Sequence, residues 1–170
     1  MRYPARLALC AALLTATSCV DVSHEDAVDA LGEETPGGPS AFHRPGQPCV
    51  TCHGELGPAE SEFRLAGTVY LLRNAEDPAA GAVVQIQDSA GQVITAQTNA
   101  AGNFWLYPEQ WDPVYPIQTR VKWGPITKQM NQPINRAASC ADCHVPPRPS
   151  RTSPGRIYIA TNRSDLMRPP

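Results

Sequence analysis

The sequence predicts an all-β fold, a small antiparallel Greek-key sandwich with irregular segments before and after it. Short runs between Phe63 and Trp123 alternate apolar and polar residues with period two. Turns rich in Gly and Asn separate those runs at regular spacing. A further β-branched and aromatic run, "RIYIA" at 156–160, supplies a last strand that returns to the sheet.

The elements follow in order. "FRLAGTVYLL" (63–72) is apolar and β-branched, and "AEDPAAG" (75–81) follows as a loop. In "AVVQIQD" (82–88), Ala82, Val84 and Ile86 face one way and Gln85 and Gln87 the other. "SAG" turns the chain into "QVITAQT" (92–98), and "NAAG" turns it into "NFWLY" (103–107). After a proline-rich crossover, "PIQTRVKW" (116–123) sets Ile117, Thr119, Val121 and Trp123 against Gln118, Arg120 and Lys122. Such alternation fits antiparallel sheets with one wet face each. The sandwich is placed at 63–128, and 156–170 holds the last strand and a tail.

Gly67-Thr68-Val69-Tyr70, Gly81-Ala82-Val83-Val84 and Thr98-Asn99-Ala100-Ala101-Gly102-Asn103-Phe104 give this stretch a likeness. It resembles the carboxypeptidase regulatory-like (transthyretin-like) β-sandwich family. The resemblance covers about sixty residues and implies a seven-strand or similar Greek-key sandwich. It implies a folding, spacing or binding module rather than an activity. Trp105, Tyr107, Trp111 and Trp123 read as core and rim packing in preference to a carbohydrate platform.

The first eighteen residues read as a signal peptide. Arg2 and Arg6 precede a short apolar run, and small residues follow it. Ala16-Thr17-Ser18 before Cys19 resembles a bacterial lipobox, so Cys19 is the expected lipidated first residue of the mature chain. Several acyl chains on one residue anchor stably where a single chain does not. Residues 19–41 then read as a lipidated cysteine and a flexible tether, acidic first and Gly/Pro-rich after. Loss of residues 1–18 removes two arginines and moves the formal charge from −2 to about −4. No basic cluster of the kind nucleic acid demands is present, so no nucleic-acid partner is expected.

Of six cysteines, Cys10 leaves with the signal and Cys19 carries lipid. The other four are Cys49, Cys52, Cys140 and Cys143, in "CVTCH" (49–53) and "CADCH" (140–144). These motifs define a first segment, 42–62, and a second, 129–155. C-x-x-C-H is the c-type haem attachment pattern. Two thiols a turn apart form thioethers to the haem vinyl groups, and the next histidine supplies the proximal imidazole. The expectation is two covalent haems, with His53 and His144 as proximal ligands. One Zn²⁺ held by four thiolates is the alternative cofactor, and a local disulfide in each C-x-x-C is a third reading. Neither accounts for a histidine behind both pairs.

His43, six residues before Cys49, is the candidate distal ligand, and Met130 a weaker one. A histidine shortly before C-x-x-C-H is similar to the arrangement in many multihaem cytochromes, where it often ligates a neighbouring haem. His24 and Met167 fall in the tether and the tail and are expected to be unordered. The chain shows no Ser-His-Asp signature and no acidic pair in a recognisable context. The expected function is that of a lipid-anchored dihaem c-type cytochrome with redox protein partners in the cell envelope, periplasmic or at the outer membrane or cell surface. Peroxide chemistry or gas sensing would require that neither His43 nor Met130 bind iron. The alternative is a non-catalytic surface lipoprotein whose sandwich binds a partner or glycan, with the C-x-x-C pairs stapled by zinc or disulfides.

Overall fold

A computed structural model describes residues 22–34, 38–136, 138–145 and 149–167. The expected signal peptide and Cys19 lie outside the described residues. No helix among the described residues is long and apolar enough to cross a membrane.

The fold is an all-β sandwich of two sheets. Along the chain run α1 (Val22–Asp29), α2 (Cys49–His53), β1 (Leu65–Leu72), β2 (Val83–Gln87), β3 (Val93–Gln97), β4 (Asn103–Leu106), β5 (Gln118–Trp123), β6 (Ile126–Gln129) and β7 (Ala138–Ser139). A 3₁₀ turn at Cys140–Asp142, then β8 (Ile157–Ala160) and α3 (Arg163–Leu166), complete it. One sheet is ordered β3-β2-β5-β6 and is antiparallel throughout. The other is built on β1, with β4 antiparallel to it and β7 and β8 both parallel to it.

The alternation read from the sequence sorts the β3-β2-β5-β6 sheet as expected. Ala82, Val84 and Ile86 are buried, as are Ile117 and Val121. They meet Leu65, Val69, Phe104, Leu106, Trp111 and Ile159 in one core. A deletion such as Ile86→Ala removes about 2–5 kcal/mol there. Trp111 belongs to this core, while Trp123 donates its indole N–H to the Ala80 carbonyl at 3.1 Å. Among buried polar groups, Thr98 is satisfied by the backbone, since its Oγ1 accepts from the Ala82 amide at 2.8 Å and donates to the Ala79 carbonyl.

Three features differ from the sequence expectation. The sheet built on β1 is not purely antiparallel. At Leu65 and Ala66, β1 pairs with β7, and from Val69 to Leu72 it pairs with β8, both in parallel. Val69 directs its amide to Gly102 and its carbonyl to the Ala79 amide, on the β4 side. Tyr70 and Leu72 therefore turn to β8. Strands β7 and β8 thus line one edge of β1, with the second motif between them in sequence.

Second, the β5–β6 hairpin carries the sandwich to Gln129, past the expected boundary at 128. The chain continues beside β5, where Met130 donates to Thr119 and Ile134 exchanges two backbone bonds with Ile117. Third, the segment expected as a tether contains α1, and α1 packs on α2. Arg44 donates to the carbonyls of Leu31 and Gly32 at 2.9 and 2.6 Å, tying the end of that segment to the loop before the first motif. His24 lies on this helix and is partly buried, and Met167 follows α3 at the surface.

Candidate haem-attachment site

The first motif is a single helical turn. Pro48 stands at its N-cap and Gly54 ends it in extended backbone. A turn places Cys49 and Cys52 on one side, three residues apart, with His53 following. The second motif begins in a 3₁₀ turn, with Ser139 as its cap. The Ser139 hydroxyl receives the Asp142 amide, and the Asp142 carboxylate accepts the Ser139 amide at 3.2 Å. All four thiols are free, and Cys143 is the exposed one.

The two motifs meet. Ser139 is buried, and its Oγ also accepts the amide of Val50 at 2.6 Å, across 89 residues of sequence. Because Ser139 pairs with Ala66, β1 holds both motifs beside its first half. Burial pushes the Cys49 thiol up to about 11, reinforced by Asp142 and Cys52 and opposed by a backbone hydrogen bond. Burial likewise pushes Cys140 up to about 12, and the charges of Cys49 and Asp142 add to the effect. Asp142 is itself raised by burial, against the Ser139 amide and Arg136. Cys49 of the first motif and Cys140 of the second therefore share one desolvated neighbourhood.

Gly67 on β1 makes that neighbourhood possible. A Cβ there would sit 2.7 Å from both Cβ and Sγ of Cys140 and 3.1 Å from the Phe104 ring. The absent side chain is the space into which Cys140 packs, against the core cluster.

Both histidines are held in the same way. His53 Nδ1 donates to the Ser61 carbonyl at 2.8 Å, and His144 Nδ1 donates to the Gly155 carbonyl at 2.8 Å. A carbonyl oxygen only accepts, so Nδ1 carries a proton, and in the neutral ring Nε2 is the nitrogen left with a lone pair. This is the outer-shell arrangement that orients a ligating imidazole. His53 is braced further by Phe63, whose ring lies 4.1 Å away at 10° and whose amide donates to the His53 carbonyl at 2.6 Å. Trp105 stacks behind Phe63 at 5.5 Å, and Tyr107 meets it edge-on at 5.6 Å.

The sandwich also fixes the loop before the first motif. Asn103 Nδ2 donates to the His43 carbonyl at 3.0 Å, and Asn99 Nδ2 donates to Ala41. Thr68 Oγ1 accepts the Gly46 amide at 2.8 Å and donates to Asn103 Oδ1 at 2.7 Å. The "GT" and "TNAAGN" stretches therefore both shape the sheet and clamp the motif loop. His43 is brought beside His53, with ring centroids 5.9 Å apart. Met130 is not brought to either motif by any described contact; its amide joins it to β5 of the other sheet.

Sequence reasoning named the cysteines and histidines but missed Thr68, Asn103, Ser139 and Gly67. Ser139 carried a signal in the capping pattern S-x-x-D of Ser139 and Asp142. The others depend on long-range contacts. Among the described residues, no group of three or more His, Cys, Asp or Glu side chains is arranged to hold a single ion. In comparisons with known proteins, no family model, no curated protein and no solved structure matches the chain.

Proposed function

We propose that this chain is a dihaem c-type cytochrome-like electron carrier of the cell envelope, anchored through lipid on Cys19. Cys49 and Cys52 would attach one haem and Cys140 and Cys143 the other, with His53 and His144 as proximal ligands. The observation that carries the reading is the shared state of the two histidines. Each follows a C-x-x-C pair, and each has Nδ1 spent on a backbone carbonyl, which leaves Nε2 for iron. A zinc or disulfide staple would use the thiols alone and give neither histidine a role.

Haem bound here would supply reversible one-electron chemistry. The protein's own contribution is placement. The Ser61 and Gly155 carbonyls orient the imidazoles, Ser139 joins the two motifs, and the β1 edge holds them side by side. The stretch resembling carboxypeptidase regulatory-like domains then serves as a rigid spacer and clamp, not as a catalyst. Partners on this reading are redox proteins of the envelope and the membrane itself, with no nucleic acid.

The test is a reductive titration of full-length protein made in a host with haem-attachment machinery. The expected result is red protein taking up two electrons per chain reversibly. Colourless protein containing stoichiometric zinc would reject the reading.

A further inference from the structure

Strand β3 (Val93–Gln97) is an outer strand of the β3-β2-β5-β6 sheet, and among the described residues it pairs with β2 alone. Its pairing shows which groups are left over. The Thr98 amide donates to the Ala82 carbonyl at 2.9 Å, and the Asp88 amide donates to the Gln92 carbonyl at 3.0 Å. The even-numbered residues therefore turn their backbone groups to β2. Val93, Thr95 and Gln97 direct N–H and C=O away from the sheet, and a row of such groups is a template for another strand.

This edge lacks the usual protection, which is a charge, a proline, a bulge or a covering segment. The register with β2 runs from Val83↔Gln97 to Gln87↔Val93 without a bulge. Strand β3 has neither proline nor charge, and no charged residue occurs in the sequence between Asp88 and Glu109. Asp88 itself is buried, its carboxylate accepting from the amides of Gln92 and Val114. The opposite edge of the same sheet differs: β6 carries Lys128, whose ammonium lies 3.6 Å from the centre of the Tyr158 ring.

Burial repeats the contrast. The inward residues of β2 and β5, Val84, Ile86 and Val121, are buried, whereas Ile94 and Ala96 pack on the core and stay half-buried. Val93 is 48% exposed on the outer face. Apolar surface thus remains on both faces of the strand, beside its free backbone groups.

We infer that β3 pairs with β3 of a second copy of this chain, antiparallel about a twofold axis at Thr95, so that two sheets become one. In this register Thr95 meets Thr95 of the second copy and Val93 meets Gln97, each pair exchanging N–H and C=O. The edge suits its own copy because its outward residues lie symmetrically about Thr95. The absence of charge also removes the repulsion that like charges facing each other would bring. A charged partner would find nothing on this edge to recognise. The pairing needs no haem and stands apart from the function proposed above.

The experiment is sedimentation of the full-length protein in density-matched detergent, up to about 0.1 mM, where a dimer of micromolar affinity is nearly complete. A five-residue edge is smaller than the standard interface of about 1,600 Å², so the dimer should dissociate on dilution. Thr95→Lys sets two ammonium groups across the axis and should leave only monomer. Val93→Glu and Gln97→Lys should each weaken the dimer. Combined, they should dimerise roughly fivefold more tightly than either alone, because the new carboxylate of one copy meets the new ammonium of the other. All three side chains are exposed, and unchanged urea midpoints of the variants at low concentration show that they fold.

Wild-type protein that stays monomeric at the highest concentration would overturn the proposal and leave the edge to a strand of another protein. A dimer that survives Thr95→Lys would place the contact on another face. A double variant no tighter than the single ones would reject this register.

Discussion

The two C-x-x-C-H motifs share their cysteines and histidine and differ in how the fold carries them. The first is a helical turn outside the sheets, held down by side chains of Thr68, Asn103 and Ser139. The second is an excursion between two strands that pair in series along β1, so the sheet itself bounds it. Yet both end in a histidine fixed through Nδ1 by a backbone carbonyl. The comparison teaches that the local chemistry is repeated while its support is not. The first motif lies off the sheets on side-chain hydrogen bonds from elsewhere in the fold. The second adds strand pairing at its flanks to the Ser139–Asp142 box and the Ser153 hydroxyl, which donates to the Cys143 carbonyl at 2.7 Å.

The largest expected effect separates the motifs outright. Cys49→Ser/Cys52→Ser should remove one covalent haem per chain and leave the other, and Cys140→Ser/Cys143→Ser should do the converse. Haem per chain after denaturation measures both. Equal loss of both haems from either variant would mean that the motifs are matured as one unit and would break the comparison.

Next in size is the packing at β1. Gly67→Ala drives a methyl group into Cys140 and should cost about 1–3 kcal/mol in a urea denaturation. Combining it with Cys140→Ala should recover part of that loss, because the two atoms in conflict belong to this pair. Additive costs would show that the glycine is needed for another reason.

Side-chain support of the first motif is tested by Asn103→Leu and Ser139→Ala. Each leaves buried or half-buried backbone groups without a partner and should cost about 1–2 kcal/mol. Hydrogen exchange should quicken at Gly46 and His53 in the Asn103 variant and at Val50 in the Ser139 variant. Protection at His144 should hold in the Asn103 variant, since only the first motif relies on that residue.

The smallest effect concerns pH in protein carrying no haem. Cys49 and Cys140 have folded pKa values raised above the ordinary thiol value of 9.0, to about 11 and about 12, by burial. A raised thiol favours the folded state most below the unfolded value, and that contribution is lost as pH rises through the folded one. Urea midpoints should therefore fall between pH 9 and 11, and Cys140→Ala should flatten the decline. A midpoint independent of pH over that window would contradict the buried placement of these thiols.

Much of this was legible in the sequence, for local reasons. Alternation in 82–88 and 116–123 exposes the two central strands of the β3-β2-β5-β6 sheet, because one face is wet. The C-x-x-C-H spacing exposes the candidate ligands, since a single turn suffices to bring two cysteines and a histidine together. Strand β6 was missed although a signal existed: Gly124-Pro125 forms the two-residue hairpin loop, with Gly124 at φ +54°. Strand β7 has two residues and exists only through its pairing with Leu65 and Ala66. The meeting of the motifs was likewise invisible, because it rests on the contact of Val50 with Ser139 and on the space at Gly67. Helix α1 was hidden by an acidic composition that suggests disorder, whereas its packing on α2 and the grip of Arg44 order it.

The central claim is that both motifs carry covalently attached haem. It is tested most directly by the intact mass of the mature protein under denaturing conditions, after expression with haem-attachment machinery. The account predicts the polypeptide, with its N-terminal lipid, plus two haems, falling by one haem in each double-cysteine variant. A mass equal to the polypeptide and lipid alone, with four alkylatable thiols, would contradict it.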